Sequence, residues 1–383
     1  MEVGLENYVP LMQPSKGFEE LKKLVIDQGI CSACSTCAAF CERIEMVNGM
    51  PALVKDCTLK TGSIKCSEEG TCFDTCPMVS FSMPELEKSI FGAARQDEDL
   101  GCYKKIVAVR SKIPEILEKA QDGGAVTSFL LCALENKLIE GAVVANRGED
   151  WSTSAEIAKN KEELLSGAGT KYCRTFSVAK FGRSLRDVRK IAIVGTGCQI
   201  TGARRAEAIF LKELLSKTAE SEKPVRLFLI GLFCFENFPY DCLKNFLEKN
   251  YNVKMERIAK TDIKKGKFIV TTKDGQTIEK KVKEFEECVP ESCKLCTNFT
   301  AEFADISVGG VGSDLGWSTV IVRSDRGMEL LEKAGELGYV EIQDSINLEE
   351  IKKNVSLKKE KRRAASEIRD KEGKYIPDYG GGI

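Results

Sequence analysis

Four cysteines, Cys31, Cys34, Cys37 and Cys41, stand at C-x2-C-x2-C-x3-C in the stretch CSACSTCAAFCE. Thiolates at that spacing suit an iron-sulfur cube: short loops cap its near corners and a distant cysteine closes it. Glu42 stands where the pattern usually carries proline, which weakens a turn preference and removes no ligand. A second group, Cys57, Cys66, Cys72 and Cys76, is spaced C-x8-C-x5-C-x3-C and is followed by Pro77. In two-cluster iron-sulfur proteins each group sends three ligands to one cluster and its last to the other. Cys31, Cys34, Cys37 and Cys76 would then bind one [4Fe-4S] cluster, and Cys57, Cys66, Cys72 and Cys41 a second. The inserts in the second group are tolerable because longer loops add little closure entropy. Zinc in two four-cysteine sites is the alternative, and the first group's spacing favours iron-sulfur.

Three later motifs also carry cysteine: Cys198 in IVGTGCQ, Cys234 in LIGLFCFEN, and Cys293 with Cys296 in CKLC. Cys198 and Cys234 end apolar strands, whose loops can meet in space, and four thiolates would complete a further site. A cysteine ending an apolar strand is also a common core residue. The GTG turn does not fit a dinucleotide fingerprint, since its third glycine would fall on Ile200. Cys288, Cys293 and Cys296, at C-x4-C-x2-C, offer a rival plant-type [2Fe-2S] grouping that spacing leaves open.

The elements that must hold these cysteines show in the apolar patterning. FEELKKLVIDQ predicts an amphipathic helix, leading into a small domain held together by its metals. From Lys104 strands and helices alternate. KIVAVR, GAVVAN, RKIAIVGTG, VRLFLIGLFC, ADISVGG, STVIVRS and GYVEIQ read as strands. GGAVTSFLLCALENKL, QITGARRAEAIFLKELL and RGMELLEKAGEL read as helices, and KGKFIVTTKDGQTIEKKV as a hairpin turning at Asp274-Gly275. The expected fold is an α/β mixed-sheet domain over 101–345, preceded by a small two-[4Fe-4S] domain over 1–100. Residues 346–383 are expected to form a solvated charged helix, with PDYGGGI loose or docked on a partner.

Composition narrows the chemistry. The 383 residues contain 17 cysteines and no histidine, which rules out His-based triads, Rieske centres and haem on a proximal His. Hydrophobic residues at 43% and charged residues at 30% allow a packed core, and a net charge of -1 argues against nucleic acid as the main partner. No run approaches the roughly 18 apolar residues of a membrane helix, and MEVGLENYVP has no signal-peptide pattern. Thiol-rich chains of this kind are better read as metal-binding than disulfide-stapled, in a reducing, anaerobic cytoplasm. Cys102, Cys132, Cys173, Cys242 and Cys288 have no assigned role, and most read as core thiols.

The stretches DGGAVTSFLLCALENKLIEGAVV, GAGTKYC, IAIVGTGCQITGAR, GLFC, CKLCTNFTAEFADISVGG and GWSTVIVR resemble, in order, the coenzyme F420 hydrogenase/dehydrogenase beta-subunit family. The N-terminal ferredoxin-like segment is most similar to the input subunit of F420H2 dehydrogenases and the oxidase half of F420-dependent sulfite reductase. The resemblance implies FAD, a third [4Fe-4S] cluster, and hydride exchange with F420 as substrate. It assigns Cys198, Cys234, Cys293 and Cys296 to that cluster. The family's GTPCQ is GTGCQ here, so Gly197 is expected to loosen the turn. Gly123 and Gly124 open a helix whose bare amides suit a pyrophosphate, and Thr127 adds a hydroxyl. Ser166, Gly169, Thr170, Lys171 and Tyr172 supply a loop, a cation that could face a reduced flavin, and an aromatic surface; the plain alternative for the glycines is a turn.

The expected activity is F420H2 oxidation, with electrons passed through the clusters to other subunits of a redox complex or a ferredoxin. Alternatives are F420 reduction by a ferredoxin or hydrogenase partner, a non-catalytic electron-transfer subunit, and a zinc-stabilised interaction protein. Attachment to the cytoplasmic face of a membrane would come only through partners.

Overall fold

The computed structural model describes residues 17–57, 70–185, 187–211 and 226–380, so Cys66 lies outside the described residues. Strands β1 (Ile44–Val47) and β2 (Met50–Leu53) form an antiparallel hairpin within the cysteine-rich segment. The main sheet takes β3 (Lys105–Ser111), β4 (Gly141–Arg147), β5 (Thr153–Ala158), β6 (Lys190–Thr196) and β7 (Arg226–Leu232). A separate sheet holds β8 (Ile258–Lys264), β9 (Lys267–Thr272) and β10 (Thr277–Lys281), the last two forming the expected hairpin. β11 (Ile306–Gly309), β12 (Ser318–Val322) and β13 (Val340–Gln343) return to the main sheet.

The main sheet runs β13-β3-β12-β11-β7-β6-β4-β5. β11, β7, β6 and β4 are parallel to their neighbours in that run, with antiparallel strands outside them on both sides. Its pleat sorts the apolar strands onto two faces, because successive side chains point opposite ways. Ala192, Phe228 and Ile230 face a core with Phe129 and Leu131 from the helix Ala125–Glu135 and Leu330 from Asp325–Glu336. Ile191, Ile193, Leu227 and Leu229 face Phe181 and Ile200, from the helices Ser177–Ser184 and Gly197–Ala206. Helices thus cover both faces, as a parallel centre requires.

The cysteine-rich segment shares its core with the rest of the chain: Phe18, Leu21, Val25, Ile30 and Ile44 pack with Ala179, Leu295 and Ala365. Its helix Thr36–Ala39 lies close against two helices of the main layer. A Cβ at Gly182 would sit 2.6 Å from the Ala39 carbonyl oxygen, and one at Gly202 would sit 2.1 Å from Thr36 Oγ1.

The C-terminal reading is corrected. The helix Leu348–Lys371 exists, but Ile351, Val355, Lys358, Arg362, Ala365 and Arg369 form a buried stripe along it. The tail packs on this same chain through residues 377–380. Phe81 donates its amide to the Asp378 carbonyl, Met83 to that of Tyr379, and the Tyr379 hydroxyl to Pro77. No helix among the described residues is long and apolar enough to cross a membrane.

Candidate metal and flavin sites

β6 and β7 deliver Cys198 and Cys234 to the same end of the sheet, the carboxyl end of its parallel strands, where open α/β sheets bind ligands. Cys198 sits in the first turn of Gly197–Ala206, which Thr196 and Gln199 cap reciprocally. Thr196 Oγ1 lies 3.4 Å from its sulfur. Gly197 does not loosen this turn: it accommodates Asn298, whose carbonyl oxygen would lie 2.9 Å from a Cβ there. The Cys234 amide donates to the Phe299 carbonyl at 2.9 Å, stitching the β7 end to the CKLC loop. Cys293 lies on the short helix Glu291–Lys294, and Cys296 follows it.

All four cysteines line one cavity. Burial, then the neighbouring Cys34, pushes the Cys198 thiol up to about 11. Burial also raises Cys234, and takes Cys293 to about 11, with Lys358 opposing in both cases. Without a metal these are protonated thiols; iron binding would displace the protons.

Lys358, which the charge pattern hid, projects from the C-terminal helix into this site and is 2% exposed. Its ammonium donates to the Cys234 carbonyl at 2.5 Å and the Asn298 carbonyl at 3.4 Å. Burial pushes its pKa down, but Cys296, Cys234, Cys293 and Cys198 together leave it raised. A buried cation facing four thiols fits an anionic thiolate-bound cluster.

A second, smaller cavity is lined by Cys31, Cys34, Cys37 and Cys76, the set expected from crossed ligation. Cys34, with Ser32 and Ala33, borders both cavities. Burial pushes Cys37 and Cys76 well up. Cys72, raised to about 12 by burial, has the thiols of Cys41 and Cys57 as neighbours. Among the described residues no three Cys, Asp or Glu converge as a single ion requires.

Cys242 and Cys288 are joined in a disulfide, correcting their reading as core thiols. The bond takes Cys288 out of the C-x4-C-x2-C grouping. Cys102, Cys132 and Cys173 are buried free thiols.

The flavin residues come together in part. Gly123 packs against β3 and β12, and its amide donates to Ser318 Oγ at 3.0 Å, so that amide is taken. Gly124, at φ +74°, caps the helix carrying Thr127. The amides of that first turn have no intrahelical acceptor. Thr170 reaches this loop through its amide, 3.5 Å from Gln121 Oε1. Gln121 Nε2 is buried with no partner, the kind of orphan donor a bound polar group would satisfy. Ser166 donates to the Glu163 carbonyl at 2.7 Å. The Lys171 ammonium does not face open space: it donates to the carbonyls of Gly167, Ala168 and Gly169 at 2.6–3.0 Å. Burial, with Arg147 nearby, brings it down to about 7. Tyr172 accepts from the Ile263 amide at 3.0 Å and sets its ring against Phe268.

The protein-family models for the N-terminal and C-terminal parts of the coenzyme F420 hydrogenase/dehydrogenase beta subunit match residues 106–181 and 188–347. The coenzyme F420-dependent sulfite reductase of Methanocaldococcus jannaschii is 35% identical over 369 residues, 93% of this chain and 54% of the reductase. The chain thus spans about half the length of that relative. The coenzyme F420 hydrogenase beta subunit of Methanothermobacter thermautotrophicus is 39% identical, over 67% of this chain and 89% of that subunit. Among solved structures, a chain of the F420-reducing [NiFe] hydrogenase complex from Methanosarcina barkeri superposes with a TM-score of 0.66 at 32% identity. That match covers 72% of this chain and 96% of the other. With both halves of the family domain matched across the sheet that carries Cys198, Cys234 and the CKLC loop, the chain belongs to the coenzyme F420 hydrogenase/dehydrogenase beta-subunit family.

Proposed function

We propose that this chain is the electron-input unit of an F420-dependent redox system, oxidising F420H2 and delivering single electrons to a partner subunit or ferredoxin. F420-linked electron transfer is the common ground of its relatives. The observation that carries the finer reading is the pair of thiol-lined cavities sharing Ser32, Ala33 and Cys34 as a common wall. Bound FAD would supply the exchange between hydride and single electrons that a deazaflavin cannot make, and [4Fe-4S] clusters would carry those electrons.

The chain's own residues do the rest. Cys198, Cys234, Cys293 and Cys296 would hold the inner cluster, and Cys31, Cys34, Cys37 and Cys76 the adjoining one. Cys41, Cys57 and Cys72, with Cys66, would hold the third. Gly124, the first amides of its helix, Thr127 and Gln121 present donors for the flavin's phosphates. Ser166, Gly169, Thr170 and Tyr172 form the loop beside them, and Lys171 fixes that loop by gripping its carbonyls. Phe81, Phe303 and Tyr379 contribute aromatic rings to the lining of the inner cavity.

The oxidising direction is favoured by the length of the sulfite reductase match. At 93% of the chain it cannot omit the cysteine-rich segment, whereas the hydrogenase subunit matches 67%. An F420-dependent reductase draws on reduced F420. The test is an anaerobic preparation of the full chain, assayed for iron, sulfide and FAD and then mixed with F420H2. Iron for three clusters, one FAD and bleaching of the flavin are expected. A colourless, flavin-free chain excludes the proposal, and flavin reduction by ferredoxin but not by F420H2 reverses its direction.

A further inference from the structure

The ammonium of Lys358 is 2% exposed and forms no ion pair among the described residues. The nearby carboxylate of Glu236 is held instead by Lys361, at 2.9 Å. A buried, unpaired cation is costly, and a protein keeps one where a counter-charge is provided. What faces Lys358 is the ring of Cys198, Cys234, Cys293 and Cys296.

The side chain is also held in register. One turn further along the helix, Arg362 donates to the Leu295 carbonyl, inside the CKLC loop, and at 2.5 Å to the Pro377 carbonyl. Arg369 reaches Gln28, at the entrance to the first cysteine group, through its carbonyl at 3.3 Å and its side chain at 3.2 Å. The helix begins at Leu348, and the family match ends at residue 347. The charge is therefore delivered by an element outside the matched family domain.

We propose that Lys358 is a positioning residue whose fixed positive charge raises the reduction potential of the inner iron-sulfur centre, and that the C-terminal helix carries it there. The inference rests on the assignment of that cavity to a cluster. Reduction of the centre takes up one electron from the reductant and makes or breaks no bond, so the centre gains one negative charge. An ammonium in a low-dielectric site stabilises the reduced form over the oxidised one.

The experiment is an anaerobic potentiometric titration of the full, cluster-loaded chain, followed by electron paramagnetic resonance, for wild type, Lys358→Met, Lys358→Gln and Lys358→Arg. Removing the charge should shift the inner centre's equilibrium at least tenfold toward the oxidised form, a fall of about 59 mV for one electron. The other centres should stay in place, and Lys358→Arg should restore the wild-type value. If Lys358→Met does not fold, Lys358→Gln, which keeps a donor for the two carbonyls, decides by the same shift. A neutral variant that keeps all its iron and an unmoved potential overturns the proposal. Failure of the underlying assignment looks different: the wild type itself would then lack a signal that Cys198→Ala abolishes.

Discussion

Lys171 and Lys358 are both buried cations, and their surroundings drive them opposite ways. Lys171 is brought to about 7 from its ordinary 10.5, so the folded state sheds its proton before the unfolded chain does. Its contribution is present in full above 10.5 and is lost as pH falls through 7. Denaturation of wild type beside Lys171→Met should therefore show wild type gaining stability across that window, and a gap independent of pH would contradict the burial argument. The cysteine ligands give a sharper expectation. Cys296→Ser should cost about a third of the bound iron while leaving the signals of the other two clusters, as counted by iron assay and spectroscopy. Spacing suggested the first cysteine group, whereas Cys198, Cys234, Cys293 and Cys296 lie too far apart in sequence for spacing to group them and were assigned only by resemblance. Spacing could not reveal Lys358, whose buried face becomes visible only once Ile351, Val355, Arg362, Ala365 and Arg369 are seen to share it.

The elements that deliver these side chains were legible where burial leaves an apolar run, and at the edge strand β13 from the short pattern GYVEIQ alone. β3, β4, β6, β7, β11, β12 and β13 all fall on runs read as strands. β5 and β8 escaped because TSAEIA and IAKTDIK alternate with charge and sit at sheet margins. The C-terminal helix was legible as a helix and misread as solvated, since long cationic side chains bury their stems while scoring as polar. Its packing sets a testable cost. Ile351 is fully buried with Leu100, Phe299 and Ile321, so Ile351→Ala should destabilise by about 2–5 kcal/mol in denaturant titrations. The contact between Thr36–Ala39 and the Gly197–Ala206 helix leaves no room for a methyl group at Gly202. Gly202→Ala should cost about 1–3 kcal/mol and expose residues before 92 to limited proteolysis; unchanged protease resistance would count against close docking.

Across the whole molecule, the proposed function arranges the thiols as a series. The inner cavity adjoins the one lined by Cys31, Cys34, Cys37 and Cys76, and Cys72 has Cys41 and Cys57 as neighbours and lies near Cys37. On the proposed function, Cys72→Ala should leave flavin reduction by F420H2 intact in stopped-flow and slow delivery to an external acceptor at least tenfold. Equal slowing of both phases would remove the series arrangement. The helix Leu348–Lys371 and the residues after it put Lys358 and Tyr379 into the wall of the inner cavity. An edit to this stretch, which lies beyond the matched family domain, therefore reaches the lining of the site without touching a cysteine.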